Sequence, residues 1–521
     1  MKQTIVSLFQ IVVFLLFFIF CTGILLLCMN GIPGNGTLQE VNALKNQTNS
    51  PFESSLTRGR WALIQAIVDE GTISIDIYAT TTFPDIIYHN GHYYSVFVPG
   101  AVFFALPFYT IAEQYNLAVL AVNLLGPISV LLTGLVVYCT LRLLRITNPV
   151  SLLTVFLMIF GTQLFSYSTI FNAHYLSALA IALALAGTVL VIKENQQGIG
   201  YPIFWLAFGM GLVVDYPNAI TLVPLALLLF YNAFYRSKNK KGQQIIRINS
   251  LFFLSFFIVL LFLIPLALYT KSIFGTFLTT IENHQINGYL DHGKINYHLA
   301  PDPEFYLDKH IVYKTLNLSV QYLPMGIFTT LVSLPRGLFM YSPILLLTLP
   351  GILFFGKTNR NLMYASGASI ITTILVYSSY ADYAGGWAYG PRFFIGMLPV
   401  FAVFLAHAIQ GYFRLANKQL KVGIAFLPVV LYTGIASITI ATVGALTSKL
   451  LVSPIENNNW GVSDSFLANI SQIGSEHFVS FVYDRYLQQT MSHEQFFFLI
   501  TGGLIGVFIL LIVFTMITTK E

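Results

Sequence analysis

The chain has 521 residues, 56% of them apolar and only 9% charged, with a mean hydropathy of +0.73 and a formal net charge of +5. A soluble domain carries about 25% charged residues, so this composition is that of a polytopic membrane protein. The basic residues are scattered over many loops, which excludes a nucleic-acid footprint, and Cys21, Cys28 and Cys139 lie inside apolar runs, which argues against a disulfide framework or a zinc site.

A helix needs about 20 apolar residues to cross the hydrocarbon. The first such stretch, Thr4 to Cys28, exceeds a signal-peptide core and no small-x-small site follows it. It reads as an uncleaved helix with Lys2 inside. Spans then begin near residues 117, 150, 174, 202, 219, 249, 337, 362, 393, 422 and 495. That makes about twelve. The pair from 202 to 235 is divided at Asp215–Asn218, "DYPN", which is turn chemistry. The stretch Val98 to Ala112 is too short to span and carries Pro99 and Pro107; it reads as a re-entrant or interfacial piece.

Charge orients these spans. With the N-terminus inside, the inner segments hold Arg142, Arg145, Lys193, the "RSKNKKGQQIIR" loop, Lys357, Arg360, Arg414, Lys418, Lys421 and Lys520, whereas Glu194 and Glu521 are their only acids. The expected fold is therefore all-α and polytopic, one transmembrane unit over residues 1–521 with both termini cytoplasmic. Three long segments fall outside: about 30–116, 271–336 and 446–494. Four N-x-S/T sequons, at Asn35, Asn46, Asn317 and Asn469, lie on that side.

The first outer segment concentrates polar chemistry. It holds Glu53, Asp69, Glu70, Asp76 and Asp85, together with Arg58, Arg60, His89 and His92. Each acid alone reads most simply as a solvated surface charge. Interleaved with aromatics and glycines, as in "DEGTISID" and "PDIIYHNGHYYS", the set suits a shaped surface bearing a general base. A second constellation runs from Ser378 to Pro399, "SSYADYAGGWAYGPRFFIGMLP". Its Arg392 enters an apolar stretch, where a cation is costly unless it snorkels or pairs. A phosphate suits such a planar fork of donors, with Asp382 placed to orient it. "LPRGLFMYSP", Leu334 to Pro343, sets Arg336 at another span start in the same way. Tyr93, Tyr94, Trp387 and Tyr389 serve equally as interfacial aromatics or as platforms for a sugar ring. Asp215 and Tyr216 form an outer turn, and His174 opens a span, where a lone histidine is more often an interfacial hydrogen-bonder. Phosphate-binding Gly-rich loops, HExxH and nucleophile-elbow motifs are absent. No cofactor is indicated, and no metal cluster.

This arrangement resembles the GT-C glycosyltransferases, and more narrowly the prokaryotic relatives of protein mannosyltransferases and lipid A aminoarabinose transferases. "RWA" (Arg60 to Ala62) is similar to the family's arginine motif; "EGTISID" (Glu70 to Asp76) and "NGHYYSVFVPG" (Asn90 to Gly100) are similar to later parts of its first loop. The chain departs from the pattern in two places. "SSLTRG" stands where an Asp-Glu pair is expected, and Phe97 and Val98 precede Pro99 where a lysine is expected.

The resemblance implies an inverting transferase that moves a sugar from a polyprenyl-phosphate donor to an acceptor hydroxyl on the extracytoplasmic side of a prokaryotic plasma membrane. Asp76 or Asp85 is then the expected base, followed by Glu53 and Glu70. Arg60, His92, Tyr94, Arg336, Asp382, Trp387, Tyr389 and Arg392 are the expected substrate-binding residues. The donor, an acceptor on protein, lipid or glycan, and membrane lipids are the expected partners. The competing readings are a multi-pass transporter or lipid flippase and an inactive relative. Transport is disfavoured because carriers place charge near the bilayer midplane, and here the acids sit in loops.

Overall fold

The computed structural model describes residues 2–47, 50–238, 244–277, 279–291, 294–297, 299, 311–313, 318–386, 388–449, 469–474 and 480–518. Among them, eight helices are long and apolar enough to cross a membrane, from Gln10–Leu27 to His493–Thr518. Shorter apolar helices add Gly100–Glu113, Asn148–Phe160, Pro217–Ala233 and Pro343–Thr358. The chain is an integral, multi-pass, α-helical membrane protein.

Each span expected from the sequence is helical. The divided pair is Gln197–Val214 and Pro217–Ala233, with Pro217 opening the second helix, where its missing N–H costs nothing. The stretch expected near 337 is broken into Leu338–Tyr341, a 3-10 run Pro343–Leu347, and Thr348–Thr358. Pro343 explains the first break, since proline cannot continue the helix hydrogen bonds before it. The basic loop after residue 233 forms a two-stranded ribbon, Phe234–Lys238 against Gln244–Ile248.

At the opposite end of the bundle, the long segment after the first helix is a folded cap. Its Ser55–Val68 helix starts at Ser54, whose side chain accepts from Leu56 N–H. Trp61 is buried, donates its Nε1–H to Gly36 O at 2.8 Å, and meets Phe52 and Tyr109 edge-on. Ile86–His89 and His92–Ser95 pair as a hairpin through Asn90–Gly91. Both turn residues have positive φ, +51° and +88°, the geometry that Asn-Gly favours. The stretch expected to be re-entrant or interfacial is a helix, Gly100–Glu113.

Two contacts seat the cap on the bundle. A Cβ on Gly100 would lie 2.2 Å from Val213 O, so only glycine lets these two backbones meet. Thr57 Oγ1 donates to Phe171 O at 3.1 Å. The cap is thereby held against the turn at Asp215 and against the start of the His174–Lys193 helix.

Candidate active site at the capped end of the bundle

Arg58 and Arg60 leave the Ser55–Val68 helix on opposite sides, since residues two apart do not share a helix face. Arg58 is consumed by the cap itself. Its Nη1 donates to Phe52 O (2.8 Å), Glu53 O (2.7 Å) and Lys45 O (3.3 Å), and its Nε to Thr81 O (2.6 Å). Arg60 is also buried, at 7% exposure, but only Nη1 has a partner, Leu56 O at 3.3 Å. Its Nε has none, and its guanidinium lies 4.3 Å from the centre of the Phe97 ring.

Three further side chains converge on Arg60. His174 opens its helix after Asn172, whose Oδ1 accepts from His174 N–H (2.8 Å) and whose Nδ2 ties down Tyr167 O and Ile170 O. Asp215 sits in the turn between two helices. Asn218 Nδ2 braces that turn by donating to Gly211 O and to Ser177 Oγ, both at 2.9 Å. Arg392 starts a 3-10 turn, Arg392–Met397, whose Gly396 packs against Ile181 and Ser177 of the same helix. Arg392 Nε also lacks a partner.

Electrostatically these groups form one unit. Asp215 feels Arg60 and Arg392; Arg60 feels Asp215, Asp85 and Arg392; His174 feels both arginines. No hydrogen bond or ion pair joins them among the described residues. Among the described residues the only pairing of opposite charges within 4.0 Å is His92 with Asp76. Asp215, His174 and Arg392 keep part of their surface accessible, although Asp215 and His174 are enclosed by protein. The combination describes a recess: partly accessible charged groups within one another's field, with no ion pair among them. Burial pushes the Asp215 carboxyl up to about 6, and the two arginines restrain that rise. Burial likewise brings Arg60 down to about 10, opposed by Asp215 and Asp85.

The candidate acids of the cap divide by position. Asp85 stays beside the recess: Oδ2 accepts from Ser55 Oγ (2.6 Å), Oδ1 from Gln285 Nε2 (3.0 Å), and its field reaches Arg58 and Arg60. Asp76 does not join it. This carboxylate is 40% exposed on the hairpin edge, with Oδ2 on His92 Nδ1 (2.8 Å) and Oδ1 on Tyr93 N–H (2.6 Å). Glu70 is exposed beside the Tyr78 hydroxyl. Glu53 is buried with both oxygens engaged, Oε2 by Ser448 Oγ (2.7 Å) and Oε1 by Lys449 N–H (3.0 Å).

The expected binding residues divide similarly. Arg60 and Arg392 meet at the recess; Arg336 lies close enough to repel Arg392, but is 1% exposed and bonded to carbonyls. Asp382 Oδ1 accepts from Gly386 N–H at 3.1 Å, so it shapes a turn. Tyr389 is buried edge-on to Tyr341 and donates its hydroxyl to Ile440 O. His92 is on the exposed hairpin edge, and Tyr94 is buried in the cap. Trp387 and Asn317 lie outside the described residues. Among the described residues, no three His, Cys, Asp or Glu side chains are grouped to hold a metal ion. Asp215 and His174 are the additions. The signal available for Asp215 was the one that drew attention to Arg392: a charge at the lip of a span needs a partner.

The fold and this cluster together describe a polytopic membrane protein with two arginines and a carboxylate brought close together at its capped end. No protein-family model and no curated protein matches the chain. Among solved structures it is similar to ArnT from Cupriavidus metallidurans bound to undecaprenyl phosphate, at TM-score 0.49 and 10% identity, covering 96% of this chain and 77% of that one. It is also similar to the Archaeoglobus fulgidus oligosaccharyltransferase in complex with zinc and sulfate, at TM-score 0.44 and 14% identity over 78% of this chain. The chain spans about half the length (52%) of that oligosaccharyltransferase.

Proposed function

We propose that the chain is a membrane glycosyltransferase that moves a sugar from a polyprenyl-phosphate donor to an acceptor hydroxyl. The observation carrying this reading is that Arg60 and Arg392 lie within the field of Asp215 without forming an ion pair with it, each with an unpartnered Nε. Two guanidiniums with donors left over suit an anionic phosphodiester, and the nearby carboxylate suits a general base. In the reaction, the acceptor oxygen attacks C1 and the C1–O bond to phosphate breaks with inversion. Asp215 takes the hydroxyl proton, while Arg60 and Arg392 hold the charge that develops on the departing phosphate. Asp85, beside Arg60, tunes the field from the cap.

A lipid donor also fits the helices below. Trp205, Val223, Leu227, Phe230, Phe252 and Phe256 line an apolar groove of about 500 Å³ between the two helices that Asp215 joins and the Ser250–Phe256 helix. At 1.5 Å per residue, Val223 to Phe230 lie roughly 12 to 22 Å along the helix from Asp215, within reach of a long isoprenoid tail. The charge asymmetry of the loops supports an outer-side location for this chemistry.

The test is transfer from a panel of radiolabelled polyprenyl-phosphate sugars in membranes carrying wild type, Asp215→Asn or Asp85→Asn. Transfer by wild type, abolished in Asp215→Asn, supports the assignment. Equal transfer by wild type and Asp215→Asn moves the base elsewhere. Absence of transfer from every donor, with folded protein, removes the reading.

A further inference from the structure

Building on the phosphate-binding reading of the recess, we propose that Arg336 is a positioning residue. It pins the Gly385–Gly386 turn that forms the seat of the Arg392 guanidinium, and does not itself bind the phosphate.

Arg336 is 1% exposed. Its Nε donates to Ala384 O at 3.2 Å and its Nη2 to Gly386 O at 3.0 Å, so one guanidinium brackets the turn from both ends. Nη1 is taken by Pro335 O at 3.0 Å. A side chain bonded on all three nitrogens to backbone carbonyls is held by structure rather than held ready for a ligand. Removing it would leave one buried and one half-buried carbonyl of the turn without this donor, which is costly.

The turn is built to lie under Arg392. Gly385 and Gly386 have φ of +76° and +60°, a conformation that glycine adopts readily. Gly385 N–H donates to Asp382 O at 2.9 Å and Gly386 N–H to Asp382 Oδ1 at 3.1 Å. A Cβ on Gly385 would stand 3.3 Å from Arg392 Nε and 3.4 Å from its Cγ; one on Gly386 would stand 4.0 Å from Nη2. The Arg392 side chain thus rests on bare backbone, and the shape of that backbone sets where the guanidinium points. Arg336 and Asp382 hold the two sides of it. The two arginines divide the work: one is saturated by carbonyls, and the other keeps an unpartnered Nε over the turn.

The experiment uses the full chain in detergent with Arg336→Lys, Gly385→Ala, the double variant and Arg392→Ala. It reads hydrogen exchange over residues 380–392 and binding of undecaprenyl phosphate, with the uncharged polyprenol as control. Lysine keeps the charge but cannot bracket two carbonyls. Arg336→Lys should speed exchange at 384–386 and weaken undecaprenyl-phosphate binding about tenfold. Gly385→Ala should weaken binding to a similar degree with Arg336 intact, and the double variant should be little worse than either, because both disturb one seat. Unchanged exchange in Arg336→Lys, or losses that simply add, would overturn the proposal. If wild type binds no undecaprenyl phosphate and Arg392→Ala changes nothing, the functional reading fails; exchange alone then decides whether Arg336 pins the turn.

Discussion

Arg58 and Arg60 stand two residues apart on one helix and use the same guanidinium in opposite ways. Arg58 gives its donors to four backbone carbonyls of the cap, whereas Arg60 bonds only Leu56 O and leaves Nε unpartnered. Losing the first should therefore break structure, and losing the second should break binding. Arg58→Ala is expected to destabilise the cap by about 3 kcal/mol or more, since it strands several carbonyls and a charge-assisted network. Arg60→Lys should leave thermal unfolding in detergent nearly unchanged, yet weaken polyprenyl-phosphate binding about tenfold through loss of the planar fork. Melting curves and binding isotherms for the two variants would separate these outcomes, and the reverse pattern would refute the assignment.

Asp215 makes the second prediction. Burial holds its carboxyl at about 6, against the pull of Arg60 and Arg392. Above that pH the group is ionised and can accept a proton; below it the base is already protonated. Transfer should fall as pH drops through about 6, tenfold per unit at the limit, and be flat on the alkaline side until another group titrates. Asp215→Asn should lower the rate by about 10²- to 10⁴-fold and erase the acidic limb. An acidic limb that survives in Asp215→Asn would assign the titration to a different group, with Asp85 the first to examine.

Much of this architecture was legible in the chain. Spans declare themselves by apolar length, and the "DYPN" turn divides two of them as proline and asparagine chemistry requires. Arg392 drew notice as a cation at a span lip, and Arg60 through the "RWA" resemblance. What could not be read was convergence. Arg60, His174, Asp215 and Arg392 are separated by more than three hundred residues of chain, and no local pattern says that they share a recess. Density of acids and aromatics proved a poor guide within the cap. The richest stretch, around Asp76, is rich because a hairpin needs a turn, a cap for Tyr93 N–H and cross-strand rings such as Tyr88 and Tyr93. The Asn90–Gly91 signal for that hairpin is present in the sequence beside those charges.

That distinction is itself testable at Asp76. Its oxygens hold His92 and Tyr93 at a partly exposed edge, so Asp76→Asn removes a surface pair of small worth. The variant should retain transfer to within about twofold, with stability lowered by at most about 1 kcal/mol. Initial rates beside an unfolding curve are sufficient. A hundredfold loss of rate in stable protein would return Asp76 to the reacting centre.

Glu53 is the sharper case, because it is buried like a catalytic acid and bonded like a structural one. Its carboxylate reaches across the fold to Ser448 and Lys449, at the end of the Leu420–Leu446 helix, and Lys449 Nζ in turn donates to Thr169 Oγ1 at 2.9 Å. Removing the carboxylate leaves a buried ammonium without its counter-charge, which typically costs about 3–5 kcal/mol. Glu53→Ala should therefore lower the melting temperature markedly and expose the cap to protease. Glu53→Ala with Lys449→Met removes both charges at once and should recover much of that loss, since replacing a buried pair with apolar groups is often tolerated. Stability regained by the double variant, with transfer regained in step, would place Glu53 in the clamp between cap and bundle. Stability regained without transfer would instead place its carboxylate in the reaction.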